Sequence, residues 1–274
     1  MARGSSDHVA VYSQYLLEAY LGLPTGLALP SVTTVYQSSI GWRGGLVLAI
    51  SQSGQSPDVR KVVEAARDGG ALTVAITNEP ASPLAAAAEH VLDCHAGAER
   101  AIPATKTYVG CLAVAARLVG ELQPASDLAR ALPRLAETLA NVIERSEAWL
   151  RDGAGGELVG ELAAAERALM VSRGYNLATA LEIALKLKEA CGRFAAGYSS
   201  ADVMHGPMVL ATPDVPMVVF RPDGPMGPAI DEATAAAAWD HEGTTYLFCS
   251  VGCMRRFRED PVYFLSLTDD QRTM

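Results

Sequence analysis

The chain has 274 residues, half of them hydrophobic, with five cysteines and a formal net charge of −9. That length holds about two domains, and an acidic balance with no basic stripe excludes a nucleic-acid surface. No apolar run reaches membrane-spanning length, residues 1–6 carry no apolar signal core, and an odd, mostly scattered set of cysteines suits a reducing compartment. The expectation is a cytoplasmic protein with neither a membrane nor a nucleic-acid partner.

In chain order, apolar patterning predicts a helix over 9–21, then a connection carrying Pro24 and Pro30. The short aliphatic run 46–50 reads as a buried parallel strand. It leads through Ser51-Gln52-Ser53-Gly54-Gln55-Ser56 into a helix over 57–68, with Ser56 as N-cap, Pro57 at the first helical position and Asp58 at the positive end of the dipole. Hydroxyls, a glycine and backbone N–H groups gathered at a helix N-terminus make an anion site; an ordinary capped turn is the alternative. No Lys-Ser or Lys-Thr follows the glycine, so this is not a nucleoside-triphosphate loop, nor is it a dinucleotide GxGxxG. Hydroxyls without a fixed cation suit a single phosphate monoester.

Strands over 71–77 and 90–94 and a long apolar helix over 107–122 complete a first α/β unit. Residues 126–151 read as a charged helical bridge. The pattern restarts with a strand over 168–172, a helix over 176–191 and a strand over 216–221. Arg3-Gly4 before the first helix is echoed by Arg173-Gly174, so the chain reads as two copies of one unit. The second copy carries Pro222-Asp223-Gly224-Pro225 where the first has its serine loop, which implies one phosphate site per chain.

The helix over 176–191 is apolar nearly all round, yet Glu182, Lys186 and Glu189 fall at i, i+4 and i+7 on one stripe. The stripe is either a structural ion pair or a catalytic group, with Glu189 as base and Lys186 orienting it or stabilising a developing oxyanion. His205-Gly206-Pro207 follows in a loop.

Five stretches together resemble the sugar isomerase (SIS) family. They are Arg3-Gly4-Ser5-Ser6, the serine loop 51–56, Ala96-Gly97-Ala98-Glu99 with Ala104-Thr105-Lys106, the helix from Ala180 through Lys186-Leu187-Lys188-Glu189, and His205-Gly206-Pro207. The branch resembled is the isomerase half of glucosamine-6-phosphate synthase and the related glucosamine-6-phosphate deaminases. The resemblance implies an α/β fold of two three-layer αβα lobes with parallel sheets, over 1–125 and 152–228, joined by the bridge 126–151. It implies that Ser51, Gln52, Ser53 and Ser56 bind the sugar phosphate and that Ser5 and Ser6 contact substrate. Glu189 would move the proton between C1 and C2, and His205 would assist ring opening from a neighbouring subunit, hence a homodimer. The implied function is aldose–ketose isomerisation coupled to deamination or amination of a hexosamine 6-phosphate, glucosamine 6-phosphate against fructose 6-phosphate. The alternative is a phosphosugar-binding or metal-binding protein with no turnover.

Three departures bear on this. Ala104 stands where the synthase motif has Ser. No glutaminase segment or nucleophilic N-terminal Cys is present, so glutamine is not the expected nitrogen donor. The first sugar loop begins the chain and the second lobe is expected to be truncated.

Residues 229–266 differ in texture, ahead of a tail at 267–274. Gly243 through Phe248-Cys249-Ser250, then Cys253, Phe257, Asp260-Pro261 and Tyr263, resemble a YHS domain, a small module associated with metal handling. Cys249 and Cys253 at i, i+4 suit zinc or copper, with Met226, His241 or a second protein completing the shell. Two cysteines packed in an aromatic mini-core are the alternative. The sugar chemistry itself is expected to need no cofactor.

Overall fold

The computed structural model describes residues 1–151, 154–212, 214–236, 238–241, 244–247 and 257–266. The chain divides into two compact units, Met1–Gly153 and Ala154–Met274.

The first unit comprises α1 (Ser5–Leu21), α2 (Pro30–Thr34), β1 (Leu46–Ile50), α3 (Pro57–Asp68), β2 (Leu72–Thr77), α4 (Pro83–Ala87), β3 (His90–Asp93), α5 (Lys106–Leu122), α6 (Asp127–Ala131) and α7 (Leu135–Arg151). Its sheet is parallel in the order β1-β2-β3. Strand alternation sends Val47, Ala49 and Ala75 to one face, where they meet Val59, Val62, Val63 and Ala66 of α3. Ile50 and Ile76 go to the other face, against Val9, Ala10, Cys111 and Ala115 of α1 and α5. Burying each of the three α3 valines contributes about 1.5–3 kcal/mol. Helix α1 starts four residues before the expected position because Gly4, at φ 57°, turns the chain and its carbonyl accepts from Asp7 N–H at 2.9 Å.

Residues 1 and 2 run beside β1. The Met1 amine donates to Leu48 C=O at 2.7 Å and Ile50 N–H donates to Met1 C=O at 3.0 Å, a parallel bridge opposite Ala49. The start of α1 and the loop after β1 therefore emerge at the same end of the sheet.

The second unit comprises α8 (Ala154–Ala164), β4 (Arg167–Ser172), α9 (Leu177–Cys191), β5 (Phe194–Ser199), α10 (Ser200–Val203), β6 (Met217–Val219), α11 (Met226–Ala236), β7 (Ala238–His241), β8 (Thr244–Leu247) and α12 (Pro261–Ser266). Its sheet is parallel in the order β5-β4-β6. Ala180 and Ala184 of α9 pack on Ala168, Met170 and Ala195. A Cβ on Gly197 of β5 would stand 2.8 Å from Leu181 Cα, so helix and strand meet backbone to backbone. The sequence pattern does not reveal β5, because Phe-Ala-Ala-Gly-Tyr-Ser has neither β-branched residues nor alternation. Pairing with β4 and the close approach of α9 make it a strand.

Helix α11 packs into this unit: Ile230 is buried, Met226 lies over Gly174, and the Asp231 carboxylate accepts from Arg221 Nε at 2.7 Å and from one terminal guanidinium nitrogen at 2.8 Å. β7 and β8 form an antiparallel hairpin. Cys249 and Cys253 lie outside the described residues. Among the described residues no helix is long and apolar enough to cross a membrane, and no group of three His, Cys, Asp or Glu side chains is placed to hold a metal ion.

Candidate functional site

The serine loop is built around one forced turn. Gly54 has φ 61°, and a Cβ there would sit 2.0 Å from Ser82 Oγ, inside contact distance of the residue that caps α4. Gly54 C=O accepts from Leu84 N–H at 3.1 Å, and Gln52 C=O accepts from Asn78 N–H at 3.1 Å and from the Thr77 hydroxyl at 3.3 Å. The loop is thus held from below by the end of β2 and the start of α4. Ser51 is buried and its Oγ accepts from Gly54 N–H at 3.1 Å, so much of its role is to shape the turn. Ser53 is exposed, Gln52 and Ser56 are half-buried, and all three border the α3 N-terminus.

Ser56 occupies the N-cap position but makes no side-chain capping bond. Pro57 has no N–H to cap, and Asp58 Oδ1 takes Val59 N–H at 2.9 Å. The Ser56 hydroxyl is therefore not consumed by its own helix. Asp58 turns to Arg3, which donates to its Oδ2 from Nε at 2.8 Å and from a terminal nitrogen at 2.5 Å. Partial burial works against the Asp58 charge, but the Arg3 and Val59 hydrogen bonds and the Arg3 charge hold its carboxyl below the usual carboxylate range. This bridge ties the turn before Ser5 and Ser6, in the first turn of α1, to the first turn of α3.

A second helix N-terminus opens nearby in sequence, at α5, but the chain fills it. Glu99 Oε2 accepts from Thr105 N–H, Thr107 N–H and the Thr107 hydroxyl at 3.1, 3.1 and 3.0 Å. The bond from Thr107 N–H leads the causes that lower the Glu99 pKa. Asn78 clamps the same loop, donating to Gly97 C=O and accepting from Ala96 N–H, both at 2.8 Å. Sequence reasoning missed Asn78, Ser82 and the Arg3–Asp58 bridge; the only local signal was the Asn78-Glu79-Pro80 turn.

In the second unit the stripe on α9 is assembled. Lys186 Nζ lies 3.2 Å from Glu182 Oε1 and donates to Glu189 Oε2 at 2.8 Å. Glu182 is buried at 6% exposure, whereas Glu189 opens to solvent with its side chain 39% exposed. Burial by itself would lower the Lys186 pKa, but the hydrogen bonds and charges of Glu189 and Glu182 outweigh it and raise the value. A carboxylate held at one oxygen by an ammonium, with its other face open, can accept a proton from a carbon acid while the cation answers charge on a neighbouring oxygen. His205 is exposed in the turn after α10, where its N–H donates to Asp202 C=O at 3.0 Å.

The corresponding end of the second sheet is closed. Ser172, fully buried, donates to Phe220 C=O at 2.6 Å, and Met226 fills the space over Gly174. A cavity of about 370 Å³ along the outer edge of β1 is lined by Leu17, Leu23, Trp42 and Val47 among others, with no charged side chain. It offers no chemistry to match the serine loop.

The SIS domain model matches residues 1–119 and 161–238. The isomerizing glutamine–fructose-6-phosphate aminotransferase of Methanothermobacter thermautotrophicus is 36% identical over 226 residues, covering 82% of this chain and 37% of that protein. The Zymomonas mobilis protein of the same name is 31% identical over 235 residues, covering 82% and 38%. The chain thus spans well under half the length of these relatives. A solved structure from Silicibacter pomeroyi DSS-3, described as a phosphosugar isomerase, superposes with a TM-score of 0.77 at 39% identity, covering 85% of this chain and 69% of that one. The C-terminal domain of glucosamine-fructose-6-phosphate aminotransferase from Francisella tularensis shares the fold, with a TM-score of 0.69 at 24% identity over 85% and 66% of the two chains.

Proposed function

Since the chain belongs to the SIS domain family, we propose that it binds a hexose 6-phosphate and interconverts glucosamine 6-phosphate with fructose 6-phosphate and ammonia. The observation that carries this reading is the serine loop: hydroxyls of Ser53 and Ser56 presented at the α3 N-terminus around a glycine no other residue can replace. The phosphate binds there, with Gln52 and Ser51 completing the cradle and Ser5 and Ser6 reaching the sugar.

In the open-chain aminosugar, Glu189 takes the C2 proton and returns it at C1. The C1 carbonyl becomes a hydroxyl and the C2 amine becomes an imine, which water hydrolyses to the ketone and ammonia. Lys186 stabilises the charge that develops on oxygen, and His205 serves ring opening, from a neighbouring subunit in a homodimer. Self-association is supported by α7, where Leu139, Val142, Ile143, Trp149 and Leu150 form an exposed apolar stripe at heptad-like spacing.

Titration calorimetry with fructose 6-phosphate tests the site. Ser53→Ala/Ser56→Ala removes two bonds to an anion worth about 1.5–3 kcal/mol each, so affinity should fall by about a hundredfold or more; unchanged affinity rules the loop out. Release of ammonia from glucosamine 6-phosphate tests turnover. Phosphosugar binding with no ammonia would leave a non-catalytic binder.

A further inference from the structure

Outside the sugar machinery, two thiols meet. Cys94 follows β3 directly and its N–H donates to Thr77 C=O at 2.9 Å, which makes it a continuation of the strand. Cys111 lies on the second turn of α5, and its Sγ is 3.3 Å from that of Cys94. A disulfide needs about 2.05 Å between sulfurs, so closure asks for a little over 1 Å shared between two side chains.

The two thiols are not equivalent. Cys111 is 1% exposed, sealed among Ile50, Ile76 and Ala115, whereas Cys94 is half-buried at the edge of that cluster. We propose that Cys94 and Cys111 form a redox modification site, a dithiol that small disulfides of the glutathione class convert to an intramolecular disulfide. The proposal is independent of the sugar chemistry.

The exchange balances. The Cys94 thiolate attacks one sulfur of the oxidant, expelling one thiolate and leaving a mixed disulfide on Cys94. Cys111 then gives its proton to solvent and attacks the Cys94 sulfur, expelling the second thiolate. The protein loses two protons and two electrons, and the oxidant takes up both to become two thiols. The order follows from access and from the shared hydrogen bond: the Cys111 contact lowers the Cys94 pKa against burial and the Asp93 charge, while the same contact and burial push Cys111 up. The new bond would staple the base of the loop 95–105, which carries the Asn78 and Glu99 clamps.

The test uses the full chain carrying Cys191→Ser, Cys249→Ser and Cys253→Ser, treated with oxidised glutathione and analysed by intact mass and non-reducing peptide mapping. The expected product has lost two hydrogens, contains a Cys94–Cys111 linked peptide and is restored by dithiothreitol. Adding Cys111→Ala should stop the reaction at one glutathione on Cys94, and Cys94→Ala should leave Cys111 unmodified. Accumulation of the Cys94 mixed disulfide with Cys111 intact overturns the proposal. So does failure of both thiols to react under conditions that modify the exposed Cys191 of the unsubstituted protein.

Discussion

At the scale of single residues, Gly54 concentrates the constraint. Its φ of 61° and the Ser82 side chain 2.0 Å from an added Cβ impose two separate penalties, one conformational and one steric. Gly54→Ala should destabilise the protein by about 2–4 kcal/mol in urea denaturation and abolish phosphosugar binding. Adding Ser82→Gly removes the clash but not the strain, so it should restore part of the stability; full restoration would mean the backbone there is unstrained. Glu189 sits at the opposite extreme, exposed on α9 with Lys186 Nζ as its hydrogen-bond donor, a bond that a glutamine Oε1 can still accept. Glu189→Gln should keep phosphosugar affinity while turnover falls at least about 100-fold and solvent-deuterium exchange at C2, followed by NMR, disappears. Persisting exchange would move the base elsewhere, with Glu182 the next candidate.

At the scale of elements, α9 shows how a nearly all-apolar helix carries charge. Glu182 is buried and Lys186 reaches both it and Glu189, so the cation offsets part of the cost of burying that carboxylate. Lys186→Met should cost about 3 kcal/mol or more, the range for breaking a buried pair, and Glu182→Leu/Lys186→Met should recover most of it because the buried carboxylate leaves with the cation and only the solvent-open Glu189 carboxylate loses its partner. The pH dependence has a definite sign. Lys186 titrates above its ordinary value near 10.5 in the folded chain, so its stabilisation is complete below that value and is lost as pH rises through the raised one. Thermal melts of the native chain should therefore lose more stability above about pH 10.5 than those of the double variant; parallel losses would place the raised proton affinity on another group.

At the scale of the whole molecule, the Arg-Gly echo seen in sequence is a conformational repeat. Gly4 and Gly174 both have positive φ, 57° and 65°, and each stands between a strand-like segment and a helix. Residues 1–2 run beside β1 as β4 runs beside β6, which aligns the serine loop with 222–225. Only the first copy leaves its loop open; in the second, Ser172 and Met226 close the space. Assembly is expected to matter as much as this division. Sedimentation should show a dimer at micromolar concentration, and Ile143→Glu on the exposed α7 stripe should shift it toward monomer. Mixing His205→Ala with Glu189→Gln protomers should recover part of the activity in hybrid dimers; no recovery would put His205 in its own chain's site.

The sequence by itself determined the elements whose signals are local. β1 and α3 fall at the positions read from an aliphatic run and from Ser56 and Pro57, and the stripe of Glu182, Lys186 and Glu189 follows from helical periodicity alone. The α/β class followed from the alternation of such elements. Tertiary structure decided what depends on partners distant in the chain. β5 exists because β4 and α9 accept its small residues. Ser56 is released from capping because Pro57 and Asp58 change what the helix start needs, and Asp58 in turn goes to Arg3, 55 residues away. Cys94 and Cys111, scattered in sequence, meet because α5 folds back over the end of β3. Short-range sterics and hydrogen bonding are written in neighbouring residues; contacts across the sheet form only when the chain has closed around them, and no window of sequence contains both halves.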